Sequence, residues 1–444
     1  MKPIGKSRTR WHNVTMAFDY SPKFETFKDR TLYERLDGEE REVIRTLAFA
    51  YRFTFQEFRQ VAEVARDLSL WGQGGLAKWY EARGARAEAR GREGGGRGAA
   101  TKKRLLRDLQ SHLAELRRRP VGYSLEGATT PVQRAHKPIV TERSDKKIFG
   151  MCPVASEKTV CCNLHTIDAV ENCVFGCSYC SVQTFYRDNI VFDADFARKL
   201  DELLIEPGRF YHIGTGQASD ALAWGNRGGI LDALCRFAAQ HPDVLLEFKT
   251  KSDNVRYFID NEAPPNVVCS WSLNTPVVIA NEEHFTADLD RRIGAARAVA
   301  DRGMKVAFHF HPMVDYKGWD REYPQVASML MDSFRPEEVA FVSFGSITLI
   351  KPVIHKVRQL GNPTRILQAD LVPDPHGKLT YPDAVKIRLF RTMREAFAGW
   401  HDQVFMYLCM EKASIWRESF GYVYDSNSQF ESDFGRRTMA KLSA

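Results

Sequence analysis

Three cysteines place the strongest constraint on this chain: Cys173, Cys177 and Cys180, in the run Cys173-Val174-Phe175-Gly176-Cys177-Ser178-Tyr179-Cys180. Spacings of four and then three residues put all three sulfurs on one short loop, directly after the apolar-alternating residues 165–170. Thiolates held this closely converge on one inorganic centre. On a four-iron cube, three protein sulfurs leave one iron open to another ligand. A zinc knuckle is the plain alternative, with Cys161, Cys162 or His165 closing a tetrahedron. A fourth cysteine on the cube, giving a closed electron-transfer centre, is another.

The bulk of the chain bounds what surrounds that loop. Its 444 residues, 44% hydrophobic, supply two or three domains or one long α/β barrel. Six of the nine cysteines (152, 161, 162, 173, 177 and 180) crowd one span, unlike the disulfide framework of a small secreted domain. Residues 1–20 are basic and polar without the apolar core of a secretory signal. No run approaches the roughly 18 apolar residues that span a bilayer. These features predict a cytoplasmic chain with reduced thiols and no membrane partner. The net charge of +7 admits an anionic partner without demanding one.

Residues 1–120 read as a basic helical module. Ile44, Leu47, Ala48, Tyr51, Phe55, Phe58, Ala62 and Ala65 form one apolar stripe at helical spacing. Leu105, Leu109, Leu113 and Leu116 form another, on a basic helix ending Arg117-Arg118-Arg119-Pro120. That helix presents either a solvated face or a phosphate-backbone contact. The Gly/Arg/Ala/Glu-rich residues 84–100 read as an exposed loop, and residues 121–150, with Pro131 and Pro138, as a linker. In the remaining core, residues 151–444, strands are expected at 165–170, 210–214, 245–250, 267–273, 306–310 and 339–344. Helices are expected at 194–204, 230–239, 287–301 and around 323–332. Such alternation predicts parallel βαβ units and an α/β fold, a partial (β/α)6 TIM-like barrel with its site at the strands' C-terminal ends.

The cysteine loop after a first β/α strand, with Tyr179 before its third cysteine, resembles the radical S-adenosylmethionine superfamily. Further segments resemble spore photoproduct lyase and its relatives: Gly214-Thr215-Gly216-Gln217-Ala218-Ser219-Asp220, Thr250-Lys251-Ser252-Asp253-Asn254-Val255 and Ser270-Trp271-Ser272-Leu273-Asn274. So do Glu282-Glu283-His284, Phe308-His309-Phe310-His311-Pro312 and Tyr407-Leu408-Cys409-Met410-Glu411. The resemblance runs from about Cys161 to about Gly421 and leaves out the first ~120 residues. It implies that Cys173, Cys177 and Cys180 bind three irons of a [4Fe-4S] cluster, and that the fourth iron is chelated by S-adenosyl-L-methionine. One electron, from a donor such as flavodoxin or ferredoxin, then cleaves the cosubstrate to a 5′-deoxyadenosyl radical that abstracts hydrogen from substrate.

The residues themselves suit those roles. Gly214 and Gly216 let backbone approach a ligand. Ser219 and Asp220 suit the cosubstrate's amino group or ribose. Lys251, with Ser270 and Ser272, suits its carboxylate. His309 and His311 share one strand face, read as polar lining or as substrate contacts. The match breaks at Gln217, where the lesion-repair lyases carry the cysteine that returns a hydrogen atom, and at Ser181, where they carry tyrosine. Cys235 and Cys269 read as core thiols, which leaves Cys409 as the candidate donor. Cys152, Cys161 and Cys162 read as structural thiols, because adjacent cysteines on an extended chain point apart; a second metal site is the alternative. The expected substrate is DNA, for photolesion repair or nucleic-acid modification. The alternatives are modification of RNA, a peptide or a small molecule, and a non-catalytic zinc-binding, nucleic-acid-binding protein.

Overall fold

Strands buried on both faces dominate the second part of the chain, and their near-continuous apolar runs are what a parallel sheet requires. The computed structural model describes residues 19–89, 99–125, 137–152, 158–185, 189–359 and 363–443. Pro131 of the expected linker and residues 90–98 of the expected loop lie outside that set. So do most of the N-terminal residues read for a signal sequence.

The principal sheet has eight strands: β1 (Phe149–Met151), β2 (His165–Ile167), β3 (Tyr211–Thr215), β4 (Val244–Thr250), β5 (Val267–Ser272), β6 (Val306–Met313), β7 (Val339–Ser346) and β8 (Phe405–Leu408). Spatial order equals chain order. Strands β2 to β8 run parallel, and β1 is antiparallel to β2. The sheet curls into a half-barrel, the partial α/β barrel that the six expected strands imply. Two strands go beyond the sequence reading. β1 is three residues across the end of the expected linker, and β8 is four residues with every side chain buried, too short to show a period.

Helices Ile230–Gln240, Leu289–Ala300 and Trp319–Ser333 cross between strands, and the region expected to be helical at 194–204 is helical only over Phe196–Asp201. Strand alternation sorts the two faces. Phe248 turns outward, with its ring 5.3 Å from Phe258, and Phe308 meets Phe334 at 5.1 Å. Glu247 turns inward to hydrogen-bond His212 and His309. Phe434, on the last helix Asn427–Leu442, packs 4.8 Å from His212 and 5.2 Å from Phe341, filling the concavity below the strands' C-terminal ends.

Chain contacts divide the molecule into Met1–Ser111 and His112–Ala444. The first unit contains α1 (Ser21–Asp29), α2 (Gly38–Tyr51), α3 (Phe55–Leu70) and α4 (Gly75–Ala89), while α5 (Ala99–Arg117) crosses the division. Thr54 and Glu57 close a capping box on α3. The buried Glu40 carboxylate accepts the Leu76 and Ala77 amides at 3.0 and 3.2 Å, satisfying the orphan donors that open α4. The expected stripe is buried at Ile44, Leu47, Ala48, Phe58, Ala62 and Ala65, as are Leu105, Leu109, Leu113 and Leu116 of α5. Among the described residues, no helix is long and apolar enough to cross a membrane.

The turn leaving β3 depends on Gly216. Its φ is +92°, and a Cβ there would meet the Lys249 carbonyl oxygen at 2.7 Å. Gly216→Ala therefore combines left-handed strain with a backbone clash. The expected outcome is a loss of about 1–3 kcal/mol, read as a lower urea midpoint with an unchanged m-value.

Candidate active site

The cysteine loop is pinned at both ends. At its start, Asn172 adopts φ +69°, and its side-chain oxygen accepts the Cys173 amide at 2.8 Å. Lys137 Nζ donates to that same oxygen at 3.0 Å and to the Cys173 carbonyl at 2.9 Å. In its middle, Gly176–Cys177 pairs antiparallel with Glu283–His284, and the Ser178 amide donates to the Glu282 carbonyl at 2.8 Å. The Glu282-Glu283-His284 segment, 100 residues downstream, is thus the loop's partner strand.

Glu283 also supplies a buried charge at the centre of the site. Its Oε1 accepts from Tyr179 Oη, from Asn274 Nδ2 at 3.2 Å and from Lys251 Nζ at 3.3 Å. Arg292 Nη2 lies 2.7 Å from Oε2. Arg292 is itself fully buried and donates to the carbonyls of Ala287 and Ser272 at 2.8 Å each. Burial opposes ionisation of Glu283, but Lys251 and Arg292 outweigh it and hold the carboxyl down to about 2.

A cavity of about 330 Å³ opens at the C-terminal ends of the strands. Cys173, Cys177, Tyr179, Cys180, Gly216, Ser219, Asp220, Lys251, Ser272 and Cys409 all line it, together with Gln217, Lys249 and His311. Gly214 and Ser270 do not. Gly214 lies within β3 facing Leu164, and the Ser270 hydroxyl donates to Glu247 inside the barrel. The candidate residues on the wall are unevenly available. Asp220 accepts from Thr250 Oγ1 and the Lys251 amide at 2.7 Å, and from the amides of Ala223 and Leu222 at 2.9 and 3.1 Å. Its carboxylate therefore ties the β3 turn to the end of β4. Ser219 Oγ accepts from Trp224 Nε1 at 3.0 Å.

The three loop cysteines suit a cluster. Burial pushes the Cys173 thiol up to about 12 and the Cys177 thiol well above its ordinary value, with the neighbouring cysteines adding to both. Bound iron would compensate the charge of their thiolates. Among the described residues, no three His, Cys, Asp or Glu side chains converge tightly enough to share a single ion. A cube asks for less convergence, since each sulfur binds a separate iron.

A second group of thiols lies beside Cys409. The isolated bridge Val160↔Glu411 brings the chain before β2 against the end of β8, and the Cys409 amide donates to the Phe344 carbonyl at 2.8 Å. Cys161 and Cys162 are hydrogen-bonded to one another through their side chains rather than pointing apart. That bond, then burial, then Cys161, Cys409 and Cys152, raises the Cys162 thiol well above its ordinary value. Burial, followed by Cys161 and Cys152, raises Cys409 in the same way. Cys235 and Cys269 are buried core thiols.

Glu247 was not legible as a functional residue. Its Oε2 accepts from His212 Nε2 at 2.7 Å, and its Oε1 accepts from His309 Nε2 and Ser270 Oγ. Burial opposes its ionisation, yet the two histidines hold it well below the usual carboxylate range. Burial and the Lys249 charge lower His309 to about 4, so it is neutral. With His309 Nε2 donating to Glu247, Ser343 Oγ donates to His309 Nδ1 at 2.5 Å and accepts from His311 Nε2 at 3.1 Å. The polar chain runs from the barrel core to the cavity wall. An inward acidic residue between two apolar neighbours on β4 was the available signal.

Glu283→Gln would leave Lys251 and Arg292 without their counter-charge. The expected cost is about 3–5 kcal/mol in chemical unfolding. In the native protein the Glu283 contribution is complete above the ordinary carboxyl value of 4.5 and is lost as pH falls toward about 2. Stability curves of the variant and the parent should therefore approach one another across that acid window.

The family model for spore photoproduct lyase matches residues 163–359. The curated spore photoproduct lyase of Clostridium acetobutylicum is 25% identical over 202 residues, covering 44% of this chain and 60% of that one. The Geobacillus protein of the same name is 26% identical over 254 residues, 53% of this chain and 73% of that one. The chain thus spans about three fifths of the first relative's length. A solved spore photoproduct lyase mutant with bound AdoMet and dinucleoside spore photoproduct superposes with a TM-score of 0.52 at 21% identity, over 61% of this chain and 81% of that one. The chain is a distant relative of the spore photoproduct lyases.

Proposed function

We propose that this protein is a radical S-adenosylmethionine enzyme acting on a nucleic-acid lesion or base. The observation that carries the reading is one cavity, at the C-terminal ends of parallel strands, lined at once by the three loop cysteines, Lys251, Ser272 and Cys409. Cys173, Cys177 and Cys180 hold the [4Fe-4S] cluster. Lys251 and Ser272 take the carboxylate of S-adenosyl-L-methionine, and the backbone at Gly216 allows its close approach. When bound and reduced by a flavodoxin- or ferredoxin-type donor, the pair supplies a 5′-deoxyadenosyl radical.

The chain's own residues orient and complete that chemistry. Asp220 fixes the Lys251 backbone, and Tyr179, spent on Glu283, is a positioning residue that keeps Lys251 in place. Gln217 has no weak bond to hydrogen. Cys409 does: its buried thiol stays protonated, lines the cavity, and gives its hydrogen atom to a carbon-centred substrate radical, becoming a thiyl. DNA as the substrate class rests on the relatives, one of which is solved with dinucleoside spore photoproduct, and on the net charge of +7.

Anaerobic reconstitution should yield one iron–sulfide cube per chain and 5′-deoxyadenosine from S-adenosyl-L-methionine. Both should be lost in Cys173→Ala/Cys177→Ala/Cys180→Ala, and bound zinc without sulfide would sink the reading. In Cys409→Ala, cosubstrate cleavage should continue while turnover of ultraviolet-irradiated DNA stalls. Equal product from parent and variant would remove Cys409 from the chemistry.

A further inference from the structure

Four lysines line the cavity, and three have an acid partner in place. Lys251 Nζ lies 3.3 Å from Glu283, Lys386 Nζ 2.7 Å from Glu411, and Lys412 Nζ 2.8 Å from Asp383. Lys249 differs. Among the described residues it makes no side-chain hydrogen bond and no ion pair, although it is half-buried. Strand alternation on β4 sends Glu247, Lys249 and Lys251 to the same inward face. The acid closest in sequence, Glu247, is already spent on His212, His309 and Ser270. The groups that feel the Lys249 charge are His309, His311 and the thiol of Cys409, and none of them is an anion.

An ammonium held in a partly desolvated cavity without a counter-charge is costly unless a ligand brings one. The cosubstrate's carboxylate is matched by Lys251 and Ser272, and its sulfonium would be repelled. The missing anion therefore belongs to the substrate, at a point between Lys249 and Cys409.

We propose that Lys249 is a substrate-binding residue that takes the phosphodiester oxygen of a nucleotide held with its reacting carbon toward Cys409. This rests on the radical-enzyme reading above and deepens it: the substrate is an internucleotide unit, and recognition of its phosphate happens inside the cavity. A free nucleoside lacks the group that satisfies Lys249.

The test is equilibrium binding to the full, anaerobically reconstituted chain, with thymidylyl-thymidine, thymidine and S-adenosyl-L-methionine as separate probes. Lys249→Gln should weaken thymidylyl-thymidine by about tenfold at low salt, the scale of one charge-assisted contact. Thymidine and S-adenosyl-L-methionine should bind as before, and Lys249→Arg should restore most of the loss. Unchanged dinucleotide binding in Lys249→Gln overturns the proposal. So does an equal loss for S-adenosyl-L-methionine, which would assign Lys249 to the cosubstrate. So does preferential, Lys249-dependent binding of an acidic peptide, which would make the anion a carboxylate. Failures separate cleanly. A chain that holds its cube and makes 5′-deoxyadenosine but binds the dinucleotide independently of Lys249 loses only this inference. A chain without a cube whose dinucleotide binding still needs Lys249 loses only the radical reading.

Discussion

Glu283 holds a negative charge with 2% of its surface exposed, and two cations, a phenol and an amide converge on it. Taking such a charge from water costs several kcal/mol, recovered only when partners surround it in good geometry. Here those partners are themselves parts of the site. Lys251 directly follows β4, Tyr179 sits between the second and third loop cysteines, and Arg292 clamps the carbonyl end of β5. The backbone of Glu283 meanwhile pairs with Cys177. The position of the cysteine loop relative to the strand ends is thus set by electrostatics as much as by chain connectivity.

The half-barrel is polar where a closed barrel would be packed with branched apolar residues. Glu247, His212, His309, Ser270 and Ser343 form one hydrogen-bonded core, in which the Glu247 carboxylate accepts from both histidines and from Ser270. A buried polar network of this kind is stable only when its members are satisfied together. It fixes the inward rotamers on β4, β5, β6 and β7, and so the direction in which Lys249 and His311 point toward the cavity. The outer face, with rings such as Phe248 and Phe308 under the helices, supplies the apolar burial.

The departure at Gln217 acquires a structural context. The turn after β3 brings Gly216, Gln217, Ser219 and Asp220 together onto the cavity wall, with no thiol among them. Cys409 lines the same cavity and stands beside Cys161, Cys162 and Cys152, so the thiols of this region come from the end of β8 and the chain before β2 rather than from the β3 turn.

Much of this was legible in one dimension. Cys173, Cys177 and Cys180 announce their loop by spacing alone, and the six expected strands carry the apolar runs that a sheet buried on both faces demands. Lys251 and Ser272 could be placed because they end such runs. Sequence could not show that Ser270, two residues from Ser272 on the same face, stops short of the cavity, since depth along a strand depends on neighbouring strands. It could not show Cys409 meeting Cys162 across nearly 250 residues, or Glu283 closing on Tyr179 across 104. Local order determined the elements and the cysteine loop. The tertiary structure decided which charges are neutralised, which thiols share a wall and which lysine is left for a ligand, because a buried charge is assigned its partner only when distant segments are packed together.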